Sequence, residues 1–406
     1  MFDSDSTIVG LEIGTTKICA VVGAVNDAGG LNIVGIGQAK SRGVRKGEIV
    51  DASLVQEDVR AAIVEAEQMA DAEIRSVYLS VTGNHVKSFN NRGFHPIVSH
   101  DRAICEEDVQ DVIKNAKAIT LPAENRVLHM IRQQFLVDGH PGITNPVGMM
   151  GAKFEVDMHV IHGNYNRLTS MIRAVKALQL DVHNVVFSGL AASLALLENE
   201  HKELGALVID MGAGTTDYVV YSGGLIKHSG SLAVGGDHVS NDLAYGLKVP
   251  LSRAEKLKLD HGAAVALELG QTKSITLPSE VGLPDRVLNL VHLQEIMSAR
   301  LEETLEIIAH DLHQCGLLDS LGAGVFLCGG GARIPHIDRL ASDVFNATVT
   351  VGKTNSVSGA RSALDQPEFA TAIGLARFGY LENRRKFEEK TGSGLRGAIS
   401  QLFRRA

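Results

Sequence analysis

The stretch 206–224, ALVIDMGAGTTDYVVYSGG, has a counterpart near the start of the chain, 7–24, TIVGLEIGTTKICAVVGA. In each segment an apolar run carries one acid (Asp210 or Glu12), a Gly/Thr loop follows, and a β-branched run closes the segment. This order predicts a strand, a tight turn and a returning strand, whereas a Walker or Rossmann loop leads into a helix. Two such hairpins, each with an acid just ahead of its turn, predict a repeated structural unit. Two unrelated hairpins are the alternative.

The two turns carry the residue types of a phosphate site. Glycines let backbone N–H groups point into a concavity, and threonine hydroxyls add donors, which suits phosphate oxygens. Bare carboxylates would repel phosphate, so we interpret Glu12 and Asp210 as holders of a hydrated Mg²⁺. Two loops that face each other predict a clasp for a polyphosphate. The predicted contacts are Gly14, Thr15, Thr16, Lys17, Asp210, Gly212, Ala213, Gly214, Thr215 and Thr216.

A third glycine segment, 324–345 GVFLCGGGARIPHIDRLASDVF, predicts a strand, a glycine turn and a helix that starts near Pro335. Such a unit allows the backbone to approach a flat group such as a purine. The predicted contacts are Gly329, Gly330, Gly331 and Ala332. Between the motifs, Glu255 and Lys258 share one face of a predicted helix at i and i+3. They contact a ribose and a base edge or form an exposed ion pair, and the spacing alone favours the ion pair.

The composition excludes several classes of function. Of the 406 residues 45% are hydrophobic, which is enough for a large core, and the length predicts two or three domains. A net charge of −8, 4% aromatic residues and the absence of Trp argue against a nucleic-acid binder. The four cysteines form no CxxC pair, which predicts buried thiols in a reducing compartment. The sequence has no signal peptide and no apolar run approaching about 18 residues, so we expect a cytoplasmic protein without a membrane span.

The last residues, 394–406 GLRGAISQLFRRA, carry three arginines and no acid. On a helix their apolar side chains fall in an arc of about 140°, and the arginines lie on the other side or at the edge. This pattern is typical of a helix in a membrane interface. The alternative is a last helix packed on the domain, with its cations favoured by the helix dipole. The candidate membrane contacts are Leu395, Arg396, Ile399, Leu402, Phe403, Arg404 and Arg405.

The glycine motifs and their order resemble those of the actin-like ATPase superfamily, which includes actin, actin-like chaperones and sugar kinases. GLEIGTTK (10–17) and VIDMGAGTTD (208–217) are similar to its two phosphate motifs, and LCGGGARIPHI (327–337) to its adenosine motif. PEFATAIGLARFGY (367–380) looks like its closing helix. Within the superfamily, VLHMIRQQFLVDGHPGITNPVGMMGAKFEVDMHVI (127–161) resembles a segment of the FtsA family of bacterial cell-division proteins. In that family the segment belongs to a subdomain called 1C.

The resemblance implies an α/β, two-lobed actin-like ATPase fold with a 1C insertion in the first lobe and a small insertion in the second. The expected domains are a first lobe (1A) at 1–83 and 164–204, 1C at 84–163, a second lobe (2A) at 205–236 and 303–380, and an inserted 2B subdomain at 237–302. A charged and then Gly/Ser-containing segment predicts a flexible linker at 381–394. The C-terminal amphipathic helix is expected at 395–406.

The resemblance implies ATP and Mg²⁺ as ligands, but hydrolysis is a separate expectation. Phosphoryl transfer to water needs a group that orients the attacking water. Actin-like chaperones have an acid near that position, at the start of the helix before the second phosphate loop, and actin uses Gln. The corresponding segment here, 185–197 VVFSGLAASLALL, has Ser188 and Gly189 instead. Because Glu12 also replaces the common Asp of the first motif, we expect a structural and polymerisation ligand that is hydrolysed slowly at most.

The resemblance further implies a scaffold that polymerises with itself and tethers the tubulin-like FtsZ ring to the cytoplasmic face of the inner membrane. Later division proteins are expected to bind through 1C. The C-terminal peptide of FtsZ is expected on 2B and the long helix after it, where Arg300 is the candidate partner for an acidic group. A surface pair of Arg300 with Glu303 is an equally good interpretation.

Three other functions fit parts of the sequence. A pilus-assembly adaptor of the PilM type has a similar fold but needs no amphipathic tail. A sugar or acid kinase needs a substrate-binding base, and a chaperone needs a further substrate domain. Since the segment 367–380 already supplies the closing helix, we interpret the tail as a weak membrane anchor, which gains about 1 kcal/mol per basic residue near an anionic surface. Polymerisation would raise its avidity.

Overall fold

A computed structural model describes residues 7–26, 29–97, 102–266, 274–277, 286–354, 357–359 and 365–403, with residues 388–403 as backbone. The α-helices are α1 (Ala52–Ala70), α2 (Glu106–Lys117), α3 (Tyr165–Lys176), α4 (Ser188–Leu196), α5 (Asn199–Leu204), α6 (Gly236–Leu247), α7 (Leu251–His261), α8 (Leu290–Gln314), α9 (Ile337–Phe345) and α10 (Ala370–Phe403). Short 3₁₀ helices span Leu318–Ser320, Gly330–Arg333 and Pro367–Phe369.

The strands, in chain order, are β1 (Thr7–Ile13), β2 (Lys17–Val25), β3 (Leu31–Lys40), β4 (Val44–Arg45), β5 (Glu48–Ile49), β6 (Ser76–Val81), β7 (Lys87–Pro96), β8 (Asn125–Val137), β9 (His140–Ile143), β10 (Lys153–Asn164), β11 (Asp181–Phe187), β12 (Ala206–Met211), β13 (Thr216–Ser222), β14 (Leu225–Leu232), β15 (Ser274–Leu277), β16 (Arg286–Asn289), β17 (Gly324–Cys328), β18 (Val349–Val351) and β19 (Ser358–Gly359).

The first lobe is built on a sheet of order β11-β6-β1-β2-β3-β19. β1, β2 and β3 form an antiparallel meander, and β6 and β11 continue in parallel on the β1 side. α1 covers one face of this sheet. Asp51 caps the helix by accepting hydrogen bonds from the N–H groups of Ser53 and Leu54, and Val55 and Val59, one turn apart, are fully buried. The cap and the apolar stripe fix where α1 begins and which side it buries.

The second lobe repeats this arrangement in a sheet of order β14-β13-β12-β17-β18. β12, β13 and β14 form the antiparallel meander, and β17 and β18 follow in parallel. Both predicted hairpins are present: β1 pairs with β2 up to Ile13 and Ile18, and β12 pairs with β13 up to Met211 and Thr216. The predicted α/β, two-lobed architecture is therefore confirmed.

The insertion in the first lobe forms its own sheet, β7-β10-β8-β9, covered by α2. Its core contains Phe135 and Phe154, whose ring centroids lie 5.4 Å apart, and Val112 and Ala116 of α2. This unit reaches the second lobe as well, because Asn90 Nδ2 on β7 donates to the backbone carbonyl of β14. The insertion therefore bridges the two lobes.

The insertion in the second lobe contains α6, α7 and the β15–β16 hairpin and leads into α8. The expected boundary between 302 and 303 lies inside α8, which runs unbroken from Leu290 to Gln314. No Gly or Pro interrupts this segment. Since one helix packs on both the insertion and the lobe core, the two parts are rigidly joined there.

Two helices cross where the lobes meet. α10 packs against α4 and β1, and Gly374 is the point of closest approach, because a Cβ there would lie 1.8 Å from the carbonyl oxygen of Ala191. Ala372, Ile373 and Ala376 of α10 are fully buried in the same core. Small side chains at this crossing allow the lobes to share one central core.

The structure differs from the prediction at the expected linker. Residues 381–394 continue α10 without a break, and α10 ends at Phe403. Leu, Glu, Arg and Lys dominate the start of this segment and favour a helix, and Lys386 Nζ lies 3.1 Å from the Glu382 carboxylate one turn earlier. The predicted C-terminal helix is present, but it is an extension of the body. Among the described residues, no helix is long and apolar enough to cross a bilayer.

Candidate functional site

A cavity of about 320 Å³ opens between the two lobes, where the β1–β2 turn faces the β12–β13 turn. We call it the interlobe cavity. Of the predicted nucleotide contacts, those that line it are Gly14, Thr15, Thr16, Lys17, Asp210, Gly212, Ala213, Gly214, Thr215, Glu255, Lys258, Gly329, Gly330 and Gly331. Glu12 lines it too. The structure thus brings together residues that are far apart in the chain.

Two predicted contacts do not line the cavity. Thr216 is 1% exposed and its hydroxyl donates to the backbone carbonyl of Val234, so it holds the second turn in place. Ala332 is 4% exposed and packs in the core of the second lobe. Both belong to the expected motifs, but β13 alternates its side chains between the two faces of the sheet and buries Thr216, and the 3₁₀ turn directs Ala332 into the second-lobe core. Their side chains therefore do not line the cavity, and a contact through their backbone stays a prediction.

The two Gly/Thr turns are closed by equivalent backbone hydrogen bonds. The N–H of Gly14 donates to the carbonyl of Lys17 at 2.9 Å, and the N–H of Gly212 donates to the carbonyl of Thr215 at 2.9 Å. The turns also approach each other closely, because a Cβ on Gly214 would lie 2.3 Å from Thr15 Oγ1. Glycine is therefore required where the two turns meet.

Three carboxyl groups meet on the floor of the cavity: Asp210 and Asp217 are buried, and the Glu12 side chain is 19% exposed. Burial raises the pKa of Glu12 to about 7, and the charge of Asp210 adds to the rise while Lys17 opposes it. Burial also raises the pKa of Asp217 to about 8, again with a contribution from Asp210. The pKa of Asp210 is raised by burial and held back by the hydroxyl of Thr371, which donates at 2.5 Å.

The acids fit a hydrated divalent cation. Glu12 Oε2 and Asp217 Oδ1 are buried without a hydrogen-bond partner in the described structure. Carboxylate oxygens are the preferred ligands of Mg²⁺, which keeps several of its waters. A cation bound here would satisfy these oxygens and offset both the burial and the repulsion from Asp210 that raise the pKa values of Glu12 and Asp217. Glu12 and Asp210, the residues predicted for Mg²⁺, would hold it through water, beside Asp217.

Lys17 is fixed at the edge of the cavity. Its ammonium group donates to the backbone carbonyl of Glu368, lies 4.6 Å from the ring centroid of Phe369 and is 4.0 Å from Glu12 Oε2. Its side chain is 19% exposed. The cation therefore faces the acids and any anion that enters between the turns.

Glu255 and Lys258 form the ion pair that their spacing favours, and both line the cavity, while a contact with a ribose or base stays a prediction. Lys258 Nζ lies 2.7 Å from Glu255 Oε2, so they do form an i,i+3 ion pair. Lys258 also donates to the carbonyl of Gly236 and to the hydroxyl of Ser240, and its side chain is only 11% exposed. Lys258 is consequently fixed in the cavity wall, while the Glu255 side chain remains 42% exposed.

The glycine segment 329–331 shapes the opposite wall. A Cβ on Gly329 would lie 2.4 Å from Asp210 Oδ1, and Gly329 has φ +80°. Any other residue at this position would be strained. A Cβ on Gly330 would meet nothing within 4 Å and would face open space. Gly330 therefore leaves room for a flat group without being needed by the fold.

Several cavity residues were not predicted from the sequence: Ile13, Ser80, Thr82, Ser188, Asp217, Gly236, Asp237, Leu259, Arg333, Ile334, Pro335 and Glu368. Asp217 had a visible signal, because it follows the second Thr-Thr pair as Lys17 follows the first. Ser80 and Thr82 had none, since they reach the cavity only through the pairing of β6 with β1.

Arg300 lies outside the cavity, on α8. Its guanidinium Nε donates to Asp242 Oδ2 at 2.5 Å, and Nη1 also contacts Glu303. The side chain is 29% exposed. The i,i+3 pair with Glu303 is thus present, and α6 supplies a second acid through Asp242.

The candidate membrane residues have only partial structural descriptions. Residues 395–403 belong to α10 as backbone, and Arg404 and Arg405 lie outside the described residues.

Comparison with known proteins decides the family. A family model described as "Cell division protein FtsA" matches residues 207–374, and one described as "SHS2 domain inserted in FTSA" matches residues 83–162. The cell division protein FtsA of Escherichia coli (strain K12) is 35% identical over 405 residues, which cover 97% of this chain and 96% of the relative. The chain belongs to the FtsA family. FtsA of Borreliella burgdorferi is 37% identical over 387 residues, covering 95% of this chain and 93% of that protein.

Solved structures agree with the fold of this FtsA family member. A PilM–PilN type IV pilus biogenesis complex aligns with a TM-score of 0.66 at 16% identity, covering 92% of this chain and 98% of that chain. MreB5 of Spiroplasma citri bound to ADP aligns with a TM-score of 0.55 at 15% identity, covering 97% and 99%. At these identities the likeness concerns the fold alone. It places the chain among actin-like folds, and the second match is a protein that binds ADP.

Proposed function

We propose that this FtsA family member is an ATP- and Mg²⁺-binding scaffold that polymerises and tethers FtsZ to the cytoplasmic face of the inner membrane at the division site. The observation that carries the nucleotide part is the cavity between the two matching Gly/Thr turns. The turns supply N–H and hydroxyl donors for phosphate oxygens, and the glycine segment 329–331 supplies the flat wall for the purine. The acids hold the cation that accompanies the phosphates.

Bound ATP would act mainly as a structural ligand. The start of α4 reaches the cavity through the hydroxyl of Ser188, which donates to the backbone carbonyl of Val81. No carboxylate or amide stands there to orient an attacking water. Nucleotide that bridges both lobes would stabilise the closed arrangement that a filament can repeat. We expect hydrolysis to be slow at most.

Membrane attachment is assigned to the end of α10. One short amphipathic helix binds a membrane only marginally. A filament would present many such helices at once, which raises avidity without a new contact. Because α10 is continuous from the lobe core to Phe403, the anchor is a rigid extension of the body. Later division proteins are proposed to bind the 1C insertion.

Liposome flotation tests the tether. Full-length protein should float with anionic vesicles and bring FtsZ with it, whereas a truncation that ends at Thr391 should stay behind. Phe403→Glu on the apolar arc should behave like the truncation. Gln401→Glu adds the same charge on the polar side and should retain most of the binding. If the truncation floats as well as the full chain, or if neither recruits FtsZ, the proposal is wrong.

The FtsZ contact is proposed at Arg300. Arg300→Ala should weaken binding of the FtsZ C-terminal peptide, measured by fluorescence anisotropy, by about 10-fold, as expected for a lost charge-assisted contact. Lys256→Ala removes an exposed cation from neighbouring α7 and serves as the control. Equal affinities for both variants would remove Arg300 from the proposed contact.

The similarity to PilM leaves one rival function, a pilus-assembly adaptor. Identity to FtsA relatives is 35%, against 16% to the PilM complex, which favours a role in division. The flotation experiment separates the two, because only the division scaffold has to carry FtsZ.

A further inference from the structure

A second polar cluster lies outside the interlobe cavity, where β14 meets the end of α8. It consists of His228 on β14 and of Asp311 and Cys315 on α8. Among the residues that the structure describes, these three form the one group of His, Cys and acidic side chains whose ligand atoms all lie within 4.8 Å of one another. The proposed ATP function uses none of them.

The local fold places all three groups on one side. Asp311 and Cys315 are four residues apart, and Cys315 keeps helical backbone angles as the C-cap of α8, so their side chains share a face. His228 reaches this face from the neighbouring strand, with Nε2 2.6 Å from Asp311 Oδ2. The His228 and Asp311 side chains are partly buried, at 21% and 35% exposure, and Cys315 is exposed. A solvated ion can therefore enter.

The cluster also has an outer partner. The hydroxyl of Tyr218 donates to Asp311 Oδ2 and orients the carboxylate, and the Tyr218 ring lies 6.0 Å from the His228 ring. Hydrogen bonds that fix a carboxylate ligand are typical of metal sites. A His–Asp ion pair alone would not need a thiol one helical turn further along.

We infer that His228, Asp311 and Cys315 form a binding site for a zinc-like divalent transition metal. Imidazole, carboxylate and thiolate are ligands that Zn²⁺ accepts in tetrahedral sites, at about 2.0 to 2.3 Å. Ligand atoms in such a site lie about 3.3 to 3.8 Å apart, so the observed group needs side-chain shifts of only about 1 Å. On binding, the thiol loses its proton to solvent and the His228 proton moves from Nε2 to Nδ1 through solvent, which frees Nε2 for the metal; water fills the fourth position. The thiolate would be a poor ligand for hard ions such as Mg²⁺.

The metal would fix the strand that contacts the 1C insertion. The residues on either side of His228 carry those contacts: the carbonyl of Lys227 accepts from Asn90 Nδ2 at 2.9 Å, and the carbonyl of Ser229 accepts from Ser88 Oγ at 2.6 Å. A tie between β14 and α8 would therefore stiffen the bridge between 1C and the second lobe. Metal binding would in this way strengthen the contact between 1C and the second lobe.

Co²⁺ is the spectroscopic probe for this site. Full-length protein is first stripped of metal with a chelator and then titrated with Co²⁺. It should develop a sulfur-to-cobalt charge-transfer band and the intense visible bands of tetrahedral Co²⁺. Addition of Zn²⁺ should displace the cobalt and remove these bands. Cys315→Ser should abolish the charge-transfer band and weaken Zn²⁺ binding at least about 10-fold, since even outer-shell losses cost 10- to 100-fold. His228→Gln should weaken Zn²⁺ binding to a similar extent while leaving the thiol in place.

Two controls make the result specific. Cys105→Ser removes the other cysteine that is not buried, and Glu12→Gln alters the interlobe cavity; both should leave the sulfur-to-cobalt charge-transfer band unchanged. Cys315→Ser should retain wild-type ATP affinity, which separates this site from the nucleotide. A charge-transfer band that survives in Cys315→Ser, or the absence of Zn²⁺ binding at micromolar concentrations in the wild type, would overturn the assignment.

Discussion

The hydroxyl of Thr82 donates a hydrogen bond to the hydroxyl of Thr215, 3.0 Å away, and so joins the two lobes at the wall of the cavity. Thr82 follows β6 of the first lobe, and Thr215 ends the second Gly/Thr turn. A second bond beside it runs from the N–H of Gly83 to Ser231 Oγ at 3.2 Å. The relative position of the lobes and the shape of the phosphate clasp are thus set by the same contacts.

Thr82→Val should weaken ATP binding about 5- to 10-fold. The variant keeps the shape of the side chain but leaves the buried Thr215 hydroxyl without this donor, which costs about 1 kcal/mol or more. Isothermal titration calorimetry with Mg²⁺-ATP measures the effect. Thr82→Ser retains the hydroxyl and should bind nearly as well as the wild type. Equal affinity of Val and Ser variants would show that the interlobe bond does not shape the site.

Asp210→Ala should abolish measurable ATP binding. Asp210 is buried on the cavity floor, is one of the two acids proposed to hold the cation, and accepts a hydrogen bond from Thr371. Its loss removes charge from the metal position and leaves a buried hydroxyl unpaired. Asp319→Ala, an exposed acid of the same lobe, is the control. Calorimetry on both variants, with circular dichroism to verify folding, checks the prediction, and normal affinity of Asp210→Ala would contradict it.

A graded pair at Gly330 tests the purine wall. Because the added Cβ faces open space, Gly330→Ala should fold normally and lose little affinity. Gly330→Leu fills the cavity and should abolish ATP binding while the thermal unfolding temperature stays close to that of the wild type. Normal ATP affinity of the Leu variant would move the purine away from this wall.

The hairpin repeat could be predicted because its signals are local. Each turn shows its glycines, threonines and preceding acid within a few residues, and strand pairing inside a hairpin needs no distant partner. The opposite holds for Thr82, which has no motif around it and reaches the site only because β6 pairs with β1. Asp217 lies between these cases: it directly follows the Thr-Thr pair of a visible motif, but its place on the cavity floor depends on the pairing of β12 with β13, which sets it opposite Asp210.

The linker prediction failed for a different physical reason. The charged composition of the segment after residue 380 predicted a flexible linker. The same residues have high helix propensity and form i,i+4 ion pairs once they lie on a helix, and composition alone does not show this. The pair of Lys386 with Glu382 is an example. A helix already nucleated in the core at Ala370 extends at low cost, because propagation is easier than initiation. Residues 381–394 are therefore helical because they continue α10, and their own composition did not predict this.

Glu12→Gln tests the linkage between the buried acids and stability. Burial raises the pKa of Glu12 to about 7, above its ordinary value of 4.5. Between these values the folded protein keeps a proton that the unfolded chain releases, so the free energy of unfolding falls as pH rises from about 4.5 to 7. When neither cation nor nucleotide is bound, Glu12→Gln should remove this fall in the free energy of unfolding with pH. At pH 8 the free energy of unfolding should then be higher than in the wild type by on the order of 2 to 3 kcal/mol.

Urea unfolding at several pH values between 5 and 8 measures the effect, with Glu302→Gln on the exposed face of α8 as the matched control. Only Glu12→Gln should flatten this part of the pH dependence, and the slope that remains should include a loss of stability from Asp210 and Asp217, whose pKa values are also raised, and a gain from buried His129 and His159, whose pKa values are lowered. The same variant should bind Mg²⁺-ATP more weakly, because the amide cannot supply the negative charge that the cation needs. A wild-type pH slope in Glu12→Gln would show that Glu12 is ionised in the folded protein before any cation binds.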